Sequence, residues 1–156
     1  MMWFKFLIYF QLFAAALLNV INALSVLKGT HLQGFAEEFY AQSYALKMAD
    51  NFYGICLIVL AVLCIVVRFR LAGFYSNGPG LYIMLLVANI LVPLVYGFLL
   101  TNAGSISIEV YTGWYRDTVT YQFDGWASLF GSAIGSGVLL ICNGIYFNKR
   151  KELFRF

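Results

Sequence analysis

Charge is what this sequence has least of. Only 11% of its 156 residues are Asp, Glu, Lys or Arg, whereas 62% are apolar, against about a quarter charged and about half apolar in ordinary soluble domains. Such a chain has too little polar surface to cover itself in water, which excludes the usual soluble globule. There is one histidine, His31, and there are three cysteines, Cys56, Cys64 and Cys142, each inside an apolar run. A zinc site needs several ligands at set spacings, so no metal is expected. Cys56 and Cys64 share one segment at a spacing that keeps them from facing each other, so no structural disulfide is expected. GxSxG, HExxH, P-loop and dinucleotide patterns are all missing, and His31 has no nucleophile beside it. The expectation is a protein that is not an enzyme and has no cofactor. The net charge of +3 comes from basic residues beside the apolar runs, not from a basic groove interleaved with aromatics, which excludes nucleic acid as a partner.

What the sequence does contain is long uncharged runs. Phe6–Leu27 carries no charge over 22 residues, or roughly 33 Å of helix, enough for a hydrocarbon core of about 30 Å. Residues 52–67 form a shorter run that Arg68 extends by snorkelling, with a start as early as Leu46; residues 80–103 and 126–147 are each long enough alone. The expected fold is therefore an all-α membrane protein, one domain over 1–156, built as a four-transmembrane-helix bundle. Residues 28–51 and 104–125 lie outside the spans. Lys5, Arg68, Arg70, Lys149, Arg150, Lys151 and Arg155 fall on one side; Lys28, Lys47 and Arg116 fall on the other with six carboxylates. The positive-inside bias predicts a multi-pass protein of the cell membrane with both termini cytoplasmic. A cleaved signal peptide ending near Ala23-Leu24-Ser25 is the rival reading of the first run, but the run is long for a signal core and carries Gln11, Asn19 and Asn22.

The outer segments have two different periods. Leu32, Phe35, Ala36, Phe39, Tyr40 and Leu46 recur at helical spacing against Glu37, Glu38 and Gln42, which predicts an outer amphipathic helix at the interface. Ile106, Ile108 and Val110 alternate with Ser107, Glu109 and Tyr111, and a second run follows at 118–123, which predicts a short extracellular β-hairpin turning over 113–117. Tyr111, Trp114, Tyr115 and Tyr121 on that hairpin are the candidate outer contact, because aromatics are favoured at binding sites. The bland alternative is that the hairpin merely rests on the amphipathic segment.

Inside the spans, Asn19, Asn22, Asn89 and Pro93 form a candidate polar seam. Asn89 is placed to partner Asn19, and the Pro93 ring disturbs the carbonyl of Asn89 and kinks the third span. Ala127, Gly131 and Gly135 repeat at every fourth position, a small-residue face on which another helix, of this chain or a neighbour, can pack. No charged residue falls within the four runs, which argues against a proton relay.

Trp3–Phe10, Asn51-Phe52-Tyr53-Gly54 and Arg68–Gly73 resemble segments of small multi-pass membrane proteins of Gram-positive bacteria with no known function. The resemblance covers about the first two thirds. Some of those proteins carry an N-terminal zinc ribbon, which this chain lacks, its first cysteine being Cys56. Claudins share the four-span topology only, since the outer segments here have no cysteines. The expected function is a non-enzymatic accessory or interaction component binding a protein or lipid through its outer segments. The alternative is a channel or facilitator for a small neutral solute, formed by the bundle or a homo-oligomer. The expected partners are membrane lipid and another membrane protein or a second copy.

Overall fold

The computed structural model describes residues 2–32, 34–112, 115–122 and 126–154. Without Pro or Gly to interrupt it, the first run forms one continuous rod, α1 (Met2–Phe6), a π-helical turn (Leu7–Gln11) and α2 (Leu12–Leu27). A π turn widens the helix locally and re-aims side chains; here it presents Gln11, whose Nε2 donates to Tyr82 Oη at 3.2 Å. Gly29 ends the rod at φ +65°, where a side chain would be strained, and a Cβ there would sit 2.5 Å from that of Ala36. The chain thus turns back tightly through a 3-10 turn (Thr30–Leu32) into α3 (Ala36–Gln42). Ser43 caps α4 (Tyr44–Ala72), its Oγ accepting from Leu46 N. After a loop at 73–77, Pro79 opens α5 (Gly78–Ala103), a position where its missing N–H costs nothing. Then come β1 (Ile106–Thr112), β2 (Tyr115–Tyr121), α6 (Trp126–Asn148) and a 3-10 turn at Lys151–Leu153.

Four helices, Met2–Leu27, Tyr44–Ala72, Gly78–Ala103 and Leu129–Asn148, are long and apolar enough to cross a membrane. Each carries large apolar side chains on its outer surface: Phe13 and Ile21, Ile55 and Val62, Leu91 and Phe98, Ile134 and Ile141 are all more than half exposed. Patches of this extent on every helix are what lipid, not water, tolerates. The extensive pairings run in chain order, α2 with α4, α4 with α5 and α5 with α6. Gly54 lets α2 and α4 approach closely, since a Cβ there would lie 2.6 Å from Leu27 Cγ.

Two cores divide the bundle lengthwise. One centres on Leu7, Leu12, Leu57, Cys64, Leu71, Tyr82 and Leu85. At its end Phe4, Phe74, Phe147 and Phe154 bring together the N-terminal helix, the 73–77 loop, α6 and the last turn. Here Asn143, fully buried, accepts from Trp3 Nε1 at 3.1 Å and donates to Leu139 O, with Tyr82 Oη 3.4 Å away. Both chain ends and the 73–77 loop therefore share one end of the bundle. At the opposite end the second core joins Leu32, Phe39, Leu46, Ala49, Tyr96, Leu100, Ile106 and Ile108, and so fuses the outer segments to the tops of α4 and α5.

Three expected boundaries change. The second span extends well beyond 52–67, because Ser43 supplies a cap and the polar residues of Tyr44–Asn51 are accommodated in the helix. The helix expected over 28–51 is broken at Gly34–Phe35 and again at Ser43, although Leu32, Phe39 and Leu46 do face one core as their spacing predicts. In the hairpin, Arg116 and Asp117 belong to β2 and not to the turn, aligned opposite Tyr111 and Val110. Asp117 is a poor strand former, but the ladder around it is supported by cross-strand contacts of Arg116 with Glu109 and Ser107 with Thr120.

Candidate functional site

The most organised polar group lies where the outer segments meet the spans. Asp50, in the second turn of α4, is 1% exposed. Tyr40 Oη from α3 donates to its Oδ2 at 2.6 Å, and Tyr96 Oη from α5 donates to its Oδ1 at 2.7 Å. His31 Nε2, from the 3-10 turn, is 3.3 Å from Oδ2, but it is not aligned for a hydrogen bond, and both ring nitrogens are buried without a hydrogen-bond partner. Three other segments thus converge on the carboxyl group that α4 supplies. Tyr53, one turn further along α4, stacks on Tyr96 with ring centroids 4.0 Å apart and fixes the ring that carries the donor.

Short, charge-assisted bonds to a buried carboxylate are the stronger kind, worth about 1.5–3 kcal/mol each. Burial, and then the hydrogen bond to Asp50, push the Tyr40 phenol well above its ordinary 10.0. A raised phenol pKa favours the neutral, donating form, so the stability contributed by the Tyr40 phenol is undiminished up to its ordinary 10.0 and is lost as the pH rises through the higher folded-state value. Beside the carboxyl, His31, Leu32 and Phe39 face Val119–Gln122 of the hairpin across a cavity of about 250 Å³. The arrangement is a clasp: one acid on α4 bonded to α3 and α5, with the His31 turn beside it and the hairpin laid over it.

Sequence reasoning missed Asp50 as a site residue. It lies just outside the apolar run at 52–67, which is itself uncharged, and enters the helix only because α4 starts at Tyr44. The available signal was a lone acid three residues before Tyr53 at the edge of a hydrophobic run; its partners, 10 and 46 residues away, leave no local pattern. His31, which the sequence shows as a lone histidine with no nucleophile beside it, faces Asp50.

The candidate seam does not assemble as expected. Asn89 Nδ2 donates to Leu85 O of its own helix at 2.8 Å, Asn19 Nδ2 is buried without a hydrogen-bond partner, and Asn22 is exposed. The Asn19–Asn89 pair is therefore corrected: the amide of Asn89 is used within its own helix, in the turn before Pro93. Among the candidate outer contacts, Tyr121 is half-buried and meets Phe39 edge-on at 5.8 Å, so it belongs to the cap core and not to the outer surface. Trp114 and the side chains of Tyr111 and Tyr115 lie outside the described residues, as does the side chain of Ala127. A Cβ on Gly131 or Gly135 would meet nothing within 4 Å. Gly131 and Gly135 are therefore not contact points of α6 on another helix; where α6 meets α5 at Gly97, the contacting residues are Trp126 and Leu129.

Comparison with protein families, with curated proteins and with solved structures finds no match to this chain.

Proposed function

We propose that this chain is an integral membrane component, its two ends cytoplasmic, that holds a rigid outer cap of α3 and the β-hairpin for contact with another protein or with lipid. The observation that carries this reading is the Asp50 clasp together with the second core beneath it: a two-stranded hairpin is marginal alone, and here four segments fasten it in one position. Its two faces support the same reading. Ile106, Ile108, Val110, Val119 and Tyr121 pack inward on the cap core, while Ser107, Glu109, Arg116, Thr118 and Thr120 are exposed.

The orientation rests on the Lys and Arg asymmetry. Single cysteines at Ser107 and Asn148, in a chain whose Cys56, Cys64 and Cys142 are replaced by alanine, are expected to react oppositely with an impermeant maleimide added to intact cells: Cys at 107 labelled, Cys at 148 protected. The reverse pattern would invert the topology.

The contact itself is tested by tagged purification in mild detergent. Trp114→Ala with Tyr115→Ala is expected to abolish co-purification of any stoichiometric partner while the melting temperature of the chain in the same detergent stays at its wild-type value. A partner retained by the double variant would move the contact away from the hairpin tip.

A further inference from the structure

At the end of the bundle opposite the cap, Ser76, Pro79 and Ile83 face Gly144, Phe147 and Asn148 across a cavity of about 670 Å³, with Phe154, just after the last turn, on its wall. That volume is in the range of small-molecule sites. The lining is mostly apolar, with Ser76 and Asn148 as its polar groups. Gly144 leaves the space open: a Cβ there would meet nothing within 4 Å. The wall passes from Asn148 directly into Lys149 and Arg150, both exposed, the latter donating to Tyr146 Oη at 2.9 Å and lying over its ring. Lys5 and Arg70 belong to the same end, where Glu152 is the only acid among the described residues.

We infer that this cavity is a binding site for one anionic phospholipid, an acyl chain lying between the start of α5 and the end of α6 and the headgroup phosphate held by Lys149 and Arg150. The inference rests on the membrane orientation proposed above, which places this end in the leaflet whose negative surface attracts juxtamembrane basic residues. An apolar slot beside a cationic rim suits a chain joined to an anion; a free phosphate would use only the rim.

The test is native mass spectrometry of the full chain, released from nanodiscs holding equal amounts of phosphatidylglycerol and phosphatidylcholine of the same chain length. Wild type is expected to retain one phosphatidylglycerol at least tenfold more often than phosphatidylcholine. Gly144→Leu, which fills the slot and favours helix, is expected to lose the retained lipid. Lys149→Gln with Arg150→Gln is expected to retain both lipids equally. Equal retention by wild type, phosphatidylglycerol retention unchanged in Gly144→Leu, or displacement of the lipid by millimolar inorganic phosphate alone would overturn the inference while leaving the membrane reading intact. A chain that fails to enter nanodiscs or vesicles would overturn both.

Discussion

Asp50→Leu is expected to destabilise the chain by about 2–6 kcal/mol, because the Tyr40 and Tyr96 hydroxyls then lose their acceptor, and each unsatisfied buried donor costs about 1–3 kcal/mol. For a chain of this size that is a fall in melting temperature on the order of 10 °C, read by thermal unfolding in detergent. The loss should be unequal along the chain. Amides of Ile106–Thr112 and Tyr115–Tyr121 should exchange faster than those around Leu57 and Leu85, since the clasp holds the cap directly, whereas the other core meets it through Tyr53, which packs on both. Asp50→Asn, which keeps one acceptor oxygen, should lie between. The decisive variant adds Tyr40→Phe and Tyr96→Phe to Asp50→Leu: removing all partners together is nearly neutral for a hydrogen-bonded group whose shape is kept, so stability should return most of the way. If Asp50→Leu alone stays within 0.5 kcal/mol of wild type, the clasp is not what fastens the cap.

The same residue marks where the sequence stops being legible. Four helices, their number and approximate position, follow from apolar runs whose length answers to a fixed bilayer thickness, and the hairpin follows from the alternation of Ile106, Ile108 and Val110. Those are local signals. Asp50 is read by hydropathy as the place where a span ends, and only the convergence of His31, Tyr40 and Tyr96 converts it into the middle of a site. The Asn19–Asn89 pairing failed for the opposite reason: both residues are polar and near mid-span, but Asn89 satisfies its amide on the Leu85 carbonyl one turn back, an option that a search for interhelical partners overlooks. Residues 113–117 read as one turn because they begin with Gly and end with Asp, both depleted in strands. Pairing of Arg116 with Glu109 decided otherwise, and tertiary partners routinely override a propensity spread over about 1 kcal/mol.

Glycine placement on the last two helices yields the second large effect, and it separates the packing surface from the one that only resembles it in sequence. Gly97→Leu is expected to destabilise by about 2–3 kcal/mol. Its Cβ would lie 2.5 Å from Leu129 Cδ1 and 3.1 Å from the Trp126 ring. That ring has little freedom to yield, because its Nε1 donates to Thr101 Oγ1 at 3.0 Å and its face stacks on Phe130. Forcing extra carbons into such a contact typically costs 1–3 kcal/mol, to which the branches of leucine add. Gly135→Leu should do the reverse. With no atom within 4 Å of the added Cβ, the change introduces no clash, and relief of glycine's unfavourable helix propensity predicts a gain of up to about 1 kcal/mol. Equal losses at the two positions in a thermal series would mean that α6 packs on α5 through its own small residues. Opposite signs would show that α6 inserts its large residues into a gap on α5, leaving the strip around Gly131 and Gly135 unused within the chain. In that case a fall in oligomer mass on Gly135→Leu, with chain stability intact, would assign the strip to a neighbouring molecule.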